Sequence, residues 1–396
     1  MATLALVLIT AVAIWRLATE ATPPLHIQRT LPAYVRLPGS APTLAWPREG
    51  QAAVEVEGVG SFGSSGSSTP APIASVAKVM TAYLTLREHP LTPGGQGFAV
   101  TITPADVAEE AQRVALGEST LSVKAGERIA ERQALQALLL PSANNIAALL
   151  ARYDAGGVGA FVARMNSTAR KLGMGSTTYT DPSGFNDETV STAIDQLRLA
   201  RAAMRIPAFA AIVDEPSVEL PGVGRVANFN GLIGAGGYVG VKTGSDRAAG
   251  GCLVFAKRVT VAGRRLTVLG VVLGQREGSL IEAALAAGEQ LGNSAAASLR
   301  VETALPAGTR VLSASSADGR RTTAVTADAL RQLGWGGLML PVGVVVSPAM
   351  TRLRAGEAMA TVAVRAEGGE GAGATSAVAS SSVSGPSLGW RLEHLL

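Results

Sequence analysis

The chain has 396 residues, of which 47% are apolar and only 16% are charged, and its net charge is +4. This is the composition of a folded protein with a sizeable core, long enough for two domains, and it excludes general disorder. The arginines are scattered and do not interleave with aromatics, so no nucleic-acid partner is expected.

Residues 2–15, "ATLALVLITAVAIW", form an apolar run that ends at Arg16. The run is short for a membrane span, and no basic segment precedes it. Residues 1–21 are read as an export signal or an uncleaved N-terminal membrane anchor, with a core helix as the alternative. The anchor reading carries membrane association with it. Residues 22–45 hold several prolines and read as a linker. From Gln51, "QAAVEVEGVG" alternates like a strand, and "SFGSSGSSTPAP" reads as a flexible turn.

An opening helix is expected over about 75–88, closed by Pro90. A second is expected over about 129–140. Pro141 breaks it, and Ser142 is expected to cap the next, "ANNIAALLARY". Helices at about 158–172 and 192–205 flank a turn, "TDPSGFN". The pattern then changes to strands, "VGVKTG", "CLVFAKRV" and "LTVLGVVLG", whose short connections imply antiparallel pairing. A helix over about 279–291 closes the region. Residues 46–295 thus read as one α+β domain in which the early and late strands share a sheet. Residues 296–370 read as a small β-rich domain, and 371–396 as a Gly/Ala/Ser-rich tail. The closing "PSLGWRLEHLL" is expected to pack against protein, being too short for strong interfacial binding.

Cys252 is the single cysteine, so no internal disulfide forms. It precedes the apolar run "LVFA" and is expected to pack in a core. The basic residues are more informative. Only Lys78, Lys124, Lys171, Lys242 and Lys257 are lysines, and arginine supplies the rest. Arginine keeps its proton in a protein, whereas a desolvated lysine releases it. Lys78 lies inside the apolar stretch "IASVAKVMTAYL", three residues after Ser75, so both side chains share one helical face. A neutral amine there can take the serine proton and make the hydroxyl a nucleophile.

Ser-x-x-Lys alone is weak evidence. Here it is followed in order by Ser142-Ala143-Asn144 at a helix junction and by Lys242-Thr243-Gly244, then Ser245, on a strand. The three elements make one known set. Gly244 would let an extended peptide approach the strand edge. The backbone N–H groups of Ser75 and Ser245 would form an oxyanion hole. Lys242 would help keep Lys78 neutral and attract an anionic peptide terminus, whose carboxylate Thr243 would also bind.

These motifs resemble those of serine-type D-alanyl-D-alanine carboxypeptidases, low-molecular-mass penicillin-binding proteins of the actinobacterial type. The resemblance runs from about Trp46 to Leu291 and includes "LLLPSANNIAALLA", "YTDPSGFND", "NFNGLI" and "AGGCLVFA". It implies an α+β, penicillin-recognising (β-lactamase-like) serine hydrolase domain, an antiparallel sheet with helices, followed by the small β-rich domain. It implies acylation of Ser75 by a peptidoglycan stem peptide, with Lys78 as base. Ser142, tied to both Lys78 and Lys242, would return the proton to the departing D-Ala. Asn144, Lys242, Thr243, Gly244 and Ser245 would bind substrate. β-Lactam antibiotics would be covalent inhibitors, and neither metal nor organic cofactor is needed. The protein is expected outside the cytoplasm, at the cell wall.

Phe229 departs from the pattern, standing where some relatives carry an arginine for the substrate carboxylate; Arg247 or Arg225 is the replacement to examine. A class A β-lactamase would need a Glu-x-x-Leu-Asn segment, which does not occur. A DD-endopeptidase acting on cross-links, and a non-catalytic wall-binding protein with a vestigial site, are the alternatives.

Overall fold

The computed structural model describes residues 2–220, 222–366 and 373–394, which divide into two units. One comprises Thr43–Glu57 and Ser61–Leu299. The other comprises the described residues before Thr43 and after Leu299, with 58–60.

The first unit is built on a five-stranded sheet. Its strands are β1 (Gln51–Val56), β2 (Gly60–Gly66), β3 (Tyr238–Asp246), β4 (Gly250–Val261) and β5 (Arg264–Gln275), in the order β3-β4-β5-β1-β2. The early and late strands do share one sheet, because β1 pairs antiparallel with β5. The stretch expected to be a turn from Ser61 is instead largely strand β2. It lies at the outer edge of the sheet, partly exposed, so its sequence carries little apolar alternation. The alternation in β1 has a different meaning from the half-exposed strand it suggests, since all six residues are buried. Its polar members are satisfied internally. Glu55 pairs with Arg201, and Gln51 donates to the Thr69 carbonyl at 2.6 Å.

Helices α1 (Lys78–Glu88), α2 (Pro104–Ala115), α3 (Glu131–Leu139), α4 (Asn144–Ala155), α5 (Val158–Lys171), α6 (Ala193–Met204), α7 (Pro207–Val213) and α8 (Leu280–Ala297) complete the unit. Helix α1 is enclosed by α3 to α7, which explains why most of its residues are buried. α8 packs on β3, β4 and β5. Helix α2 was not expected from the apolar pattern, because none of its residues is buried. Its start was nonetheless written locally, as a capping box of Thr103 and Asp106.

The second unit holds a seven-stranded sheet in the order His26–Arg29, Arg310–Ser315, Arg321–Thr326, Gly373–Ala379, Ala358–Val364, Met339–Val346, Tyr34–Arg36, and a two-stranded one that pairs Arg300–Leu305 with Leu330–Gly334. Leu37, Val311, Leu312, Met359 and Val362 lie in its core. Two domain boundaries therefore change. The expected linker, 22–45, supplies both outermost strands, and the expected tail, 371–396, supplies a central one. The two outermost strands are only four and three residues long, and ladder pairing with distant partners rather than local pattern makes them strands. Within the tail, 371–372 and 395–396 lie outside the described residues. A short helix, Leu388–Glu393, packs beside the N-terminal helix Ala2–Thr19, and Arg391 donates to the carbonyls of Leu17 and Glu20. Among the described residues no single helix is long and apolar enough to cross a membrane.

Candidate active site

The residues before α1 form a tight 3₁₀ turn, Ala74–Ala77, and Ser75 lies in it one turn ahead of Lys78. Lys78 Nζ is 2.7 Å from Ser75 Oγ. The lysine is fully buried, and its amine donates to the Ser183 carbonyl at 2.9 Å. Burial holds its pKa well below the usual lysine range, and the neighbouring Lys242 lowers it further; Asp181 and Glu118 act in the opposite sense, and Arg113 again lowers it. A neutral amine has two N–H groups and one lone pair. With one N–H committed to Ser183, the lone pair is available to the Ser75 hydroxyl.

The turn is held from two sides. Ala74 has φ +45°, a left-handed conformation that is costly for a residue with a Cβ. Gly184 packs so closely on it that an added Cβ would lie 1.9 Å from the Ala74 carbonyl oxygen. On the other side is β3, at the edge of the sheet. A Cβ on Gly244 would lie 2.9 Å from the backbone nitrogen of Ser75 and 3.0 Å from that of Val76. Gly244 therefore has a use that the sequence did not suggest: it lets the strand itself approach the nucleophile's peptide. The backbones of Ser75 and of Gly244–Ser245 adjoin, as an oxyanion hole requires.

Lys242 is also buried, which pushes its amine down to about 7, and it donates to the Thr243 carbonyl at 2.8 Å. Thr243 is buried and Ser245 partly so.

Ser142 corrects two expectations. It does not cap α4, whose N-cap is Ala143 without a side-chain bond. Instead it turns the chain, with φ +67°. Nor is it tied to both lysines, because its buried hydroxyl has no hydrogen-bond partner while the two amines bond elsewhere. Asn144 stands at the first turn of α4. Its backbone N–H donates to the Ser119 carbonyl and its side-chain Nδ2 to Glu118 Oε2, both at 2.7 Å.

Asp181 was missed as a site residue. Its carboxylate accepts from the backbone N–H groups of Ser183, Gly184 and Phe185 and from the hydroxyls of Ser183 and Thr189. It thereby shapes the loop that presents Ser183 to Lys78 and Gly184 to Ala74. Asp followed by Pro-Ser-Gly is a turn signal, but nothing local says what the turn touches. Glu118 and Arg113 carried no signal at all.

Phe229 is 44% exposed, and its N–H donates to the Leu140 carbonyl two residues before Ser142. Of the two arginines named as replacements, Arg225 donates to Ser217 on its own hairpin, while Arg247 is exposed in the turn after β3. Cys252 is buried in the core, with its thiol pushed up to about 12 by burial. Among the described residues no cluster of His, Cys, Asp or Glu is arranged to hold a metal ion.

The family model described as D-alanyl-D-alanine carboxypeptidase, peptidase S11, matches residues 63–277, more than half of the chain. The chain belongs to this family. It is 36% identical over 204 residues to the D-alanyl-D-alanine carboxypeptidase DacB2 of Mycobacterium tuberculosis, covering 50% of this chain and 65% of that protein. It is 32% identical over 206 residues to a D-alanyl-D-alanine endopeptidase of Pseudomonas aeruginosa, covering 50% of this chain and 63% of that one. The chain thus spans less than two thirds of the length of these curated relatives. The crystal structure of the Streptomyces K15 DD-transpeptidase superposes with a TM-score of 0.55 at 28% identity, covering 65% of this chain and 98% of that one. The α+β penicillin-recognising fold is therefore that of the S11 DD-peptidases, with an added β-rich unit.

Proposed function

We propose that this protein is a serine-type D-alanyl-D-alanine carboxypeptidase that removes the terminal D-Ala from peptidoglycan stem pentapeptides. The observation that carries the reading is the buried Lys78 amine, depressed in pKa and 2.7 Å from Ser75 Oγ, in a chain of the S11 family. In the reaction, Lys78 takes the Ser75 proton as Oγ attacks the penultimate D-Ala carbonyl. The N–H groups of Ser75 and Ser245 bind the oxyanion. Ser142, whose hydroxyl has no partner in the free protein, relays a proton to the departing amine. Lys242 and Thr243 take the terminal carboxylate, Gly244 sets the strand beside the turn, and Asn144 binds the peptide backbone. Water then hydrolyses the acyl-enzyme. A β-lactam acylates the same serine and inhibits.

Such a substrate lies outside the cytoplasm, so we place the protein there, at the cell wall. The N-terminal helix would serve as export signal or membrane anchor. Its exposed Leu8, Ile9, Val12, Ile14 and Trp15 support that use. The endopeptidase reading stays in view because a relative of that name matches nearly as well as the carboxypeptidase. One experiment separates the two: D-Ala release from a synthetic pentapeptide against cleavage of a cross-linked dimer, with labelled penicillin mapping the acylated residue. Faster pentapeptide turnover and label on Ser75 are expected. Faster cleavage of the dimer favours the endopeptidase, and label that survives Ser75→Ala refutes the nucleophile.

A further inference from the structure

The second unit carries the whole of the chain's net charge. It holds twelve arginines and eight acidic residues, whereas the unit with the active site holds twenty-two basic and twenty-two acidic ones. No Asp or Glu stands on any strand of its seven-stranded sheet. Two of its acids lie off those strands and already have partners: Glu302 pairs with Arg300, and Asp318 with Arg320.

Strand register decides which residues share a face of this sheet. Gln28, Ser313 and Thr323 stand opposite one another across three strands, and His26, Ser315 and Arg321 form the next row. Val325, two residues on from Thr323, is paired with Arg310. The same alternation puts Ser376 and Thr361 on this face, and at the far edge Met339 pairs with Arg36. Arg365 continues it two residues past Ala363, its N–H donating to the Pro341 carbonyl. No residue of this face is buried, whereas Leu312, Ala324, Ala377, Val362 and Leu340, on the opposite face, lie in the core. Arg36, Arg310, Arg321 and Arg365 are thus exposed charges of one open face. Among the described residues none of the four forms an ion pair.

Five strand intervals separate the strand of Arg310 from that of Arg36, a span of roughly 24 Å at the usual strand spacing. Charges spread so widely suit an extended chain rather than one small ligand. Guanidinium forks with hydroxyls between them match phosphate oxygens. Tyr34, at one edge, is the only Phe, Tyr or Trp on the face, so it lacks the stacking platforms that nucleic-acid bases use. Resting on the placement at the cell wall read above, we propose that this face docks a wall polymer of phosphodiester-linked units. The arginines pair with successive phosphates, the serine and threonine hydroxyls bond the phosphate oxygens or the hydroxyls of the linking units, and the enzyme is held where its substrate lies.

The test measures binding of the full chain to purified poly(glycerol phosphate), to polygalacturonate and to uncharged dextran. Poly(glycerol phosphate) is expected to bind at least about tenfold tighter than either of the others and to weaken as salt rises. Arg310→Ser, Arg321→Ser and Arg365→Ser together should weaken it roughly 10- to 100-fold, and Arg321→Ser alone about threefold. Arg331→Ser, Arg352→Ser and Arg354→Ser together remove the same charge from outside the strands of this sheet and should change binding by less than about threefold. All these positions are exposed, so melting temperatures should stay close to wild type. Equal weakening by the two triple sets means that net charge alone attracts the polymer, and overturns the proposal. So does polygalacturonate that binds as tightly, or a preference for anionic over neutral lipid vesicles with no binding of poly(glycerol phosphate). Labelling with penicillin reports the enzyme reading separately. A protein that takes label but binds no poly(glycerol phosphate) overturns this proposal alone, whereas one that binds it through this face and takes no label supports the proposal and overturns the enzyme reading.

Discussion

Replacing Gly244 by alanine adds one carbon where the structure has no room. The new Cβ would lie 2.9 Å from Ser75 N, 3.0 Å from Val76 N and 3.1 Å from Ile73 O. Relaxed carbon contacts sit near roughly 3.5 Å, so about half an ångström must open between strand and turn. All three neighbours are backbone atoms, and no rotamer change relieves them. The turn cannot retreat, because Gly184 already packs against Ala74 on its far side. The edge strand β3 must move instead. Overpacking of this kind costs about 1–3 kcal/mol. At roughly 2–4 °C per kcal/mol for a unit of this size, melting should fall by about 2–12 °C. The larger effect is on rate. Opening this contact pulls the Ser245 N–H away from that of Ser75, and a 1 Å misplacement can cost about 100-fold. A half-ångström shift should then slow acylation roughly tenfold. Timed labelling with penicillin and a melting curve measure the two effects. A Gly244→Ala protein that acylates within twofold of wild type and melts at the same temperature refutes the wedge argument.

Lys78→Arg should lose roughly 10²- to 10⁴-fold in acylation although the charge is kept, since a guanidinium cannot accept the serine proton. Near-normal labelling would remove Lys78 from the role of base. Asp181→Ala should destabilise the protein by roughly 3 kcal/mol and slow acylation as well, because the loop carrying Ser183 and Gly184 loses its anchor; unchanged stability and rate would show that the loop holds itself. The buried lysines also predict a pH dependence of stability. Unfolded lysine keeps its proton to about 10.4, whereas folded Lys242 releases it near 7, so the unfolded chain binds more protons between those values. Stability therefore rises with pH across that window and is lost as pH falls through the folded value. The slope is about 1.4 kcal/mol per pH unit for each such lysine. Urea unfolding followed by helix circular dichroism at pH 7.5, 8.25 and 9 (roughly, within the window) reads it, and Lys242→Met should flatten the slope by one lysine's share. An identical slope in the variant would mean that Lys242 is not neutral in the folded state.

Two non-glycine residues of the site, Ala74 and Ser142, are held with positive φ. Each conformation costs about 1–3 kcal/mol and persists only because its surroundings over-determine it. For Ala74 those surroundings are Gly184 on one side and the strand edge on the other. For Ser142 they include the bond from Phe229 N–H to Leu140 and that from Asn144 N–H to Ser119. In both places the conformation sets where a serine hydroxyl stands.

What the sequence determined alone is local or ordered along the chain. The i, i+3 spacing puts Ser75 and Lys78 within reach because helical pitch needs no distant contact, and the scarcity of lysine marks Lys78 and Lys242 for notice. The strands from Tyr238 to Gln275 were legible because their apolar runs are long and their connections short. That Lys78 is neutral was read from its apolar surroundings and from Lys242, and the structure agrees; what spacing did not show is the Ser183 carbonyl, 105 residues away, as its partner, or the opposing charges of Asp181 and Glu118. Nor could spacing reveal that Ser142 makes no cap, that Gly244 yields space to the backbone of the turn before α1, or that Glu118 fastens Asn144. The outer strands of the second unit, taken for linker and tail, were hidden for the same reason. Hydrogen bonding across a sheet, desolvation and steric exclusion act between segments far apart in the chain, and only the folded molecule brings them together.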